Sequence, residues 1–317
     1  MANFSKNGYF SELIQVSCTA SLHGNLYVYS LAALNVLLSI TASLGNILIL
    51  IALQKESSLH PPSKLLFRSL TLTDLLVGVF VQPLLAVQLI TIANHQLQLC
   101  YTVVTIIDIP ARSLSAVSLC TLTAISVDRL LVLLLCLRYR QTVTLRRRRG
   151  TVIFIWILSI AVSSLRILSR TIISWASSAL IYTLLVTSAF CYMKIYLTLR
   201  HHQVEMQDHA HQRQPNEEGI PMNVARYRKT VTSSLWVQVT LIACYLPFGI
   251  LTALSNPFTL SHNLATKIAI TLILLNSSLN PILYCWKMRG VRQAVKDIVR
   301  QFFHQVASLT TILNVIN

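Results

Sequence analysis

Long apolar runs separated by short polar connectors make up most of the chain. Seven of them, residues 29–53, 63–92, 100–134, 151–171, 174–199, 229–255 and 264–286, reach the roughly 20 residues that a helix needs to cross a bilayer. The one long polar interval, 201–225, opens HHQVEMQDHAHQRQPNEEGIPM, a composition that predicts a flexible cytoplasmic loop. After Trp286 the pattern changes. Val291, Ala294, Val295, Ile298, Val299, Phe302 and Phe303 recur at helical spacing opposite Arg289, Arg292, Lys296 and Arg300. That spacing predicts an amphipathic helix on the membrane surface, its cations toward lipid headgroups. The predicted fold class is therefore all-α: a seven-transmembrane-helix bundle followed by an amphipathic membrane-surface helix. It divides the chain into an N-terminal segment (1–28), the bundle (29–286), and the surface helix with its tail (287–317). No internal repeat is evident, which argues against a transporter built from repeats.

Composition supports the membrane reading. Of 317 residues, 54% are hydrophobic and 11% charged, against about 25% charged in soluble globular chains. So few charges cannot cover a soluble surface. The balance is lopsided, with 26 Lys and Arg against 10 Asp and Glu. So apolar a chain does not suit a nucleic-acid-binding domain, and the basic excess instead reports topology. Placing the N-terminus outside puts 21 cations on the inner side and leaves Lys6, Arg112, Arg166, Arg170 and Lys267 outside. That asymmetry follows the positive-inside rule and predicts a multi-pass plasma-membrane protein with an extracellular N-terminus. The first 25 residues lack a basic start followed by an apolar run, so no cleaved signal peptide is expected. With 8 glycines and no phosphate-loop, dinucleotide, nucleophile-elbow or zinc string, an enzyme is not expected. His201, His202, His209 and His211 are read as solvated loop residues rather than metal ligands. Arg146 through Arg149 form a run suited to an inner boundary and anionic lipid.

Ionisable side chains inside a span are costly and usually face the bundle interior. Asp74 lies midway along the second run, Asp108 and Arg112 in the third, and Asp128-Arg129 at its inner end. Asn46 interrupts the first run, and Asn276 and Asn280 the seventh. For the amides, interhelical hydrogen bonding weighs evenly with function; for a lone aspartate in hydrocarbon, function is the better reading. Pro247 and Pro281 each remove a backbone hydrogen bond from their helix. Either a hinge or mere bending follows from that.

In order, one set per helix, these landmarks resemble the rhodopsin-like G-protein-coupled receptors. They are Gly45-Asn46, Leu70-x-x-x-Asp74, Asp128-Arg129-Leu130, Trp156, Tyr192 before Ile195-Tyr196, Cys244-x-x-Pro247 and Asn280-Pro281-Ile282-Leu283-Tyr284. Each string is weak alone, whereas the ordered set is specific. The resemblance implies coupling of an extracellular ligand to a heterotrimeric G protein. It implies an allosteric sodium site at Asp74, Ser118, Asn276 and Asn280, with no cofactor required. Arg129 would meet the G protein once the sixth helix swings about Pro247, supported by Tyr192 and Tyr284, with Asn280-Pro281 in the seventh helix. Tyr245 stands where the family usually has a tryptophan, and with Phe248 and Thr252 it would form the ligand-pocket floor.

Departures qualify the likeness. Leu130 replaces the usual tyrosine, leaving Asp128 to pair with Arg129. Tyr227, Arg228 and Lys229 stand where an acid would lock the sixth helix to Arg129, so basal activity is expected. Cys100 lacks its customary partner in the short loop between the fourth and fifth runs. Cys18 is the remaining candidate for a disulfide, and two free thiols is the alternative. The short loop and a fifth run without proline are similar to melanocortin receptors and to some lipid and adenosine receptors; in melanocortin receptors an acid at the Asp108 position holds a cationic peptide group. Here Arg112 follows four residues later and is expected to neutralise it, while Arg166 adds another pocket cation. Asn3-Phe4-Ser5 fits an N-glycosylation acceptor. A constitutively active, ligand-independent receptor is the alternative reading, with a channel or transporter behind it.

Overall fold

The computed structural model describes residue 18 and residues 25–55, 60–135, 138–165, 170–212, 221–254, 264–287, 290–301 and 305; within these, the side chains of residues 25, 140, 170–174, 202–212, 221–237 and 287 are not described. Seven long helices follow one another. They are α1 (Asn25–Lys55), α2 (Pro61–Ala93), α3 (Leu97–Leu135), α4 (Leu145–Leu165), α5 (Arg170–Gln212), α6 (Pro221–Leu254) and α7 (Leu264–Lys287). A shorter helix, α8 (290–301), comes last. Six of the seven are long and apolar enough to span a bilayer, and α6 contributes a shorter apolar stretch, Gln238–Leu254, within the described residues.

Several boundaries differ from the sequence expectation. The polar interval 201–225 is helical at both ends: α5 continues to Gln212 and α6 begins at Pro221. Its polarity signals solvation, but no proline or glycine breaks it before Pro215, and proline is well suited to the first turn of α6. Residues 213–220 lie outside the described residues. Likewise α4 starts at Leu145, six residues before the predicted 151, because the arginine run is itself helical; Arg170 and Thr171 begin α5 instead.

Lipid tails are as apolar as leucine, so helix association in a bilayer depends on close packing and interhelical hydrogen bonds. Both are present between α1, α2 and α7. A methyl group on Gly78 would stand 2.9 Å from the Ser43 backbone nitrogen, and one on Gly45 would stand 2.9 Å from Pro281 Cγ. Asn46 Nδ2 donates to the Ser277 carbonyl (3.1 Å), Asn35 Nδ2 to Thr271 Oγ1 (3.1 Å), and Ser278 Oγ to the Leu38 carbonyl (3.0 Å). Trp156 Nε1 ties α4 to Ser69 of α2 at 3.1 Å. Large apolar side chains such as Phe154, Val186 and Ile282 point outward, as a lipid-facing surface requires.

Two buried apolar clusters stack along the bundle. One, at the end where α1 begins, the outer end by the sequence expectation, joins Val28, Leu85, Leu89, Ile107, Leu114 and Leu274; the other, toward the opposite, inner end, joins Leu53, Leu66, Phe67, Leu119, Leu241 and Tyr284. Within the first cluster α2 contains a π-helical turn, Val77–Val81, which begins three residues after Asp74. A wide turn of this kind re-aims the side chains beyond it, and the Gly78 carbonyl it exposes accepts from Ser39 Oγ at 2.7 Å. The amphipathic α8 is present, with Arg292, Lys296 and Arg300 exposed. Its apolar residues Val291, Ala294, Val295 and Ile298 pack on the inner cluster, so this face docks on the bundle itself. Phe302, Phe303 and Arg289 lie outside the described residues.

Candidate functional site

The outer centre is built on α3. Asp108, Ala111, Arg112 and Ser115 have the i, i+3, i+4, i+7 spacing of one helix face. That face turns inward, since the Ser115 carbonyl accepts from Tyr245 of α6 (3.3 Å) and Ala111 packs against the cluster containing Leu274 of α7. All four residues are nevertheless only half-buried. On this face Arg112 Nε donates to Asp108 Oδ1 at 2.8 Å, the i,i+4 ion pair expected from the sequence.

Sequence reasoning counted Lys267 only as an outer charge. It is 7% exposed, on the α7 face that also carries buried Thr271 and Leu274, and Asp108 is the carboxylate whose charge acts on it. Its spacing to Thr271 and Leu274 was the available signal. Tyr245 is buried and belongs to the inner cluster, on which Phe248 packs. Thr252 accepts from Ser178 of α5 at 3.0 Å. Cys18 and Cys100 are disulfide-bonded, their Cα atoms 6.0 Å apart, and rest against Ile92 and Tyr101. Arg166 and Asn3 lie outside the described residues.

The middle centre surrounds Asp74, which is 0% exposed. Asn280 Nδ2 donates to Asp74 Oδ2 at 2.7 Å, and the Ser277 and Ser118 hydroxyls also face the carboxyl. Asp74 Oδ1, Ser118 Oγ and Asn276 Nδ2 are buried without a partner among the described residues. A carboxylate oxygen and a hydroxyl oxygen left unpaired in a dry interior form a donor set that suits a hard cation. Asn280 enters differently from expectation, as a hydrogen-bond donor to the carboxylate. Ser277 had not been singled out.

The inner centre corrects the sequence reading. Asp128 does not pair with Arg129. Its carboxylate accepts from Arg148 Nη2, from Tyr139 Oη (2.8 Å) and from Ser63 Oγ (2.8 Å). The reason is geometric: consecutive residues on a helix point about 100° apart, and Asp128 faces the one-turn helix Tyr139–Thr142 and the start of α4. Arg148 is buried, while Arg146, Arg147 and Arg149 are exposed, so only three of the run suit lipid headgroups. Burial pushes the Tyr139 phenol above its usual range, which keeps it protonated as a donor to Asp128.

Arg129 instead places its guanidinium 5.4 Å from the centroid of the Phe67 ring, and Phe67 meets Tyr284 edge-on at 5.3 Å. Arg129 Nε and the Tyr284 hydroxyl have no partner among the described residues. Beside them Ser188 Oγ of α5 donates to Gln238 Oε1 of α6 (2.6 Å), and Ser126 Oγ of α3 lies 3.0 Å from Ser188 Oγ. This α3–α5–α6 link was not foreseen. The side chains of Tyr227, Arg228 and Lys229 lie outside the described residues, and Pro247 and Pro281 sit within unbroken helices.

Comparison with known proteins agrees with this arrangement. The chain matches the family described as "7 transmembrane receptor (rhodopsin family)" over residues 45–173 and 168–284. It is 26% identical to melanocortin receptor 3 of Rattus norvegicus over 275 residues, covering 83% of each chain. Identity to melanocortin receptor 3 of Homo sapiens is 25% over 276 residues, again 83% of each chain. For melanocortin receptor 4 of Danio rerio it is 26% over 277 residues, 82% of this chain and 81% of that one.

Proposed function

The chain belongs to the rhodopsin family of seven-transmembrane receptors and is a G-protein-coupled receptor; from that premise we propose how it carries a signal from an extracellular ligand to a heterotrimeric G protein at the inner face of the plasma membrane. The N-terminus is extracellular in this reading, in keeping with the distribution of cations. Ligand binds toward the outer helix ends, against Asp108, Arg112, Tyr245, Phe248 and Thr252, residues of the pocket expected from the sequence. A ligand shifts the conformational equilibrium only by binding one state better than the other. Tyr245 is the natural point of leverage, because its hydroxyl holds α6 to the α3 backbone at Ser115 two residues before Pro247. Displacing Tyr245 lets α6 pivot at Pro247, breaks the Gln238–Ser188 link and opens the floor beneath Arg129.

One observation carries the reading: interhelical contacts of polar groups occur at three levels of the bundle, Tyr245 on Ser115, Asn280 on Asp74, and Arg129 over the Phe67 ring that meets Tyr284. Asp74 and Ser118, with Asn276 and Asn280 around them, would hold a sodium ion that offsets the buried carboxylate charge in the resting state. Tyr192 and Tyr284 would support Arg129 in the signalling state.

Guanine-nucleotide exchange on purified G proteins tests this directly. Exchange should occur and fall sharply in Arg129→Ala. Ion flux through the protein with no exchange on any G-protein class would refute the proposal. A ligand-independent mode has its own support, since Arg129 has no ion-pair partner among the described residues. High basal exchange unaltered by substitutions at Asp108, Arg112 and Tyr245 would favour that mode.

A further inference from the structure

The helices α1, α2 and α4 flank a groove of about 470 Å³, walled by Leu50, Leu65, Leu72, Val152 and Trp156. It opens outward: Leu72 is 44% exposed, and Gln54 and Arg68, which also line it, are exposed. Its back is fixed where Trp156 Nε1 donates to Ser69 Oγ at 3.1 Å. With that N–H engaged, Trp156 offers an occupant its ring.

Arg68 is out of place on such a wall. It shares one face of α2 with Leu65 and Leu72, at i, i+3 and i+7. It stands seven residues after Pro61, where α2 begins, or about 10 Å along the axis. Neither its guanidinium nor the side-chain amide of Gln54 has a hydrogen-bond or ion-pair partner among the described residues. A cation facing hydrocarbon is costly unless it reaches a counter-charge or the headgroup layer. Side chains lean toward the start of their helix, so Arg68 leans to the inner end in the orientation proposed above. Arg149 continues the α4 wall in that direction. It has i, i+3, i+7 spacing with Val152 and Trp156, is exposed, and also has no partner among the described residues. Glu56 is the one acid in segments 50–72 and 145–156 of the sequence, and it lies outside the described residues.

We propose that this groove holds an anionic phospholipid of the inner leaflet, its phosphate on Arg68 and Arg149 and an acyl chain along Leu50, Leu65, Leu72 and Val152. The proposal takes only the orientation of the helices from the receptor reading. A guanidinium fork matches phosphate oxygens two at a time, and the Gln54 amide is free to donate to an ester carbonyl. Net charge selects the headgroup. A zwitterionic lipid carries an ammonium that both guanidinia repel, whereas phosphatidylglycerol brings an uncompensated negative charge. A sterol would fill the apolar wall and leave Arg68 without a counter-charge.

Brominated lipids quench tryptophan on contact, and Trp156 lines the groove. Full-length protein with Trp175→Phe, Trp236→Phe and Trp286→Phe retains Trp156 as its one tryptophan. In phosphatidylcholine bilayers it is exposed separately to dibrominated phosphatidylglycerol, dibrominated phosphatidylcholine and dibromocholesterol at equal low mole fraction. Phosphatidylglycerol should be preferred over phosphatidylcholine about tenfold, the lower end for one charge-assisted hydrogen bond. Arg68→Gln should remove most of that preference and Arg68→Lys should keep most of it. Arg149→Gln should reduce it by less, and Arg147→Gln, on the opposite face of α4, should leave it unchanged. The preference is a ratio within one preparation, so misfolding, which lowers both quenching constants, does not imitate its loss. Equal quenching by the two phospholipids would overturn the proposal, as would stronger quenching by dibromocholesterol than by phosphatidylglycerol. A preference unaltered in Arg68→Gln would do the same. Nucleotide exchange is not read here, so the receptor reading stands or falls separately.

Discussion

Arg148 donates to Asp128 across the α3–α4 contact, so the acid beside Arg129 is held by a cation twenty residues along the chain. Asp128 is 1% exposed and Arg148 9%. Removing one partner of such a pair strands a buried charge, at a cost of about 3–5 kcal/mol. Arg148→Gln should therefore lower the thermal midpoint markedly, and Arg149→Gln, one exposed residue away, should barely change it. Adding Asp128→Asn to Arg148→Gln should recover part of the loss. Freed from Arg148, Asp128 can turn to Arg129, so basal nucleotide exchange should fall in the single variant. Equal melting of the Arg148 and Arg149 variants would contradict the pairing.

Gln238 restrains α6 where an ionic lock is not expected from the sequence. Its Oε1 accepts from Ser188 at 2.6 Å, yet its Nε2 is buried without a partner among the described residues. Gln238→Leu breaks the tie to α5 and also removes that unpaired donor, whose burial costs about 1–3 kcal/mol. Basal exchange should rise about fivefold, the value of roughly 1 kcal/mol, with no loss of thermal stability. The exposed neighbour Val239→Leu should leave exchange unchanged. A drop in stability without a rise in exchange would mean that Gln238 serves packing alone.

These two sites also mark the limit of what sequence could supply. Apolar runs depend on composition along one axis, and they placed the helices to within a few residues in most cases. The Asp74, Asn280 and Tyr284 positions were legible because each sits in a short string with a fixed helical phase. The partner of Asp128 was not, since it depends on how α4 is rotated against α3. A run of four arginines offers no local sign of which one turns inward. Gln238 and Ser188 were hidden for a related reason: polar residues in apolar helices are common, and only the three-helix packing shows that they meet. Lys267 was seen as an outer charge because depth in sequence is not depth in the bundle.

Sodium dependence should pass through Asp74. Its Oδ1 and the Ser118 hydroxyl are buried oxygens of the middle centre with no partner among the described residues. A bound ion stabilises the state that holds it in proportion to occupancy. The wild-type midpoint should be higher in sodium chloride than in choline chloride at equal ionic strength. Asp74→Asn should abolish the difference while remaining folded, because an amide can still meet Asn280. An undiminished sodium shift in that variant would remove the carboxylate from the site.

Gly78 offers a prediction about packing alone. A Cβ there would lie 2.8 Å from Ser43 Oγ, 2.9 Å from Ala42 Cβ and 2.9 Å from the Ser43 backbone nitrogen. The hydroxyl could rotate away, but the α1 backbone cannot move without dragging its neighbours. Gly78 also lies in the π-helical turn and presents its carbonyl to Ser39, so any separation of α1 from α2 weakens that bond too. Gly78→Ala should destabilise the protein by about 1–3 kcal/mol, the usual cost of overpacking. Gly150 is the control, since a Cβ there has nothing within 4 Å. Gly150→Ala should be neutral or slightly stabilising, because alanine favours helix over glycine by about 1 kcal/mol. Thermal melting of both variants in the same detergent decides the matter. If Gly78→Ala melts no lower than Gly150→Ala, the close approach of α1 to α2 does not hold in the folded protein.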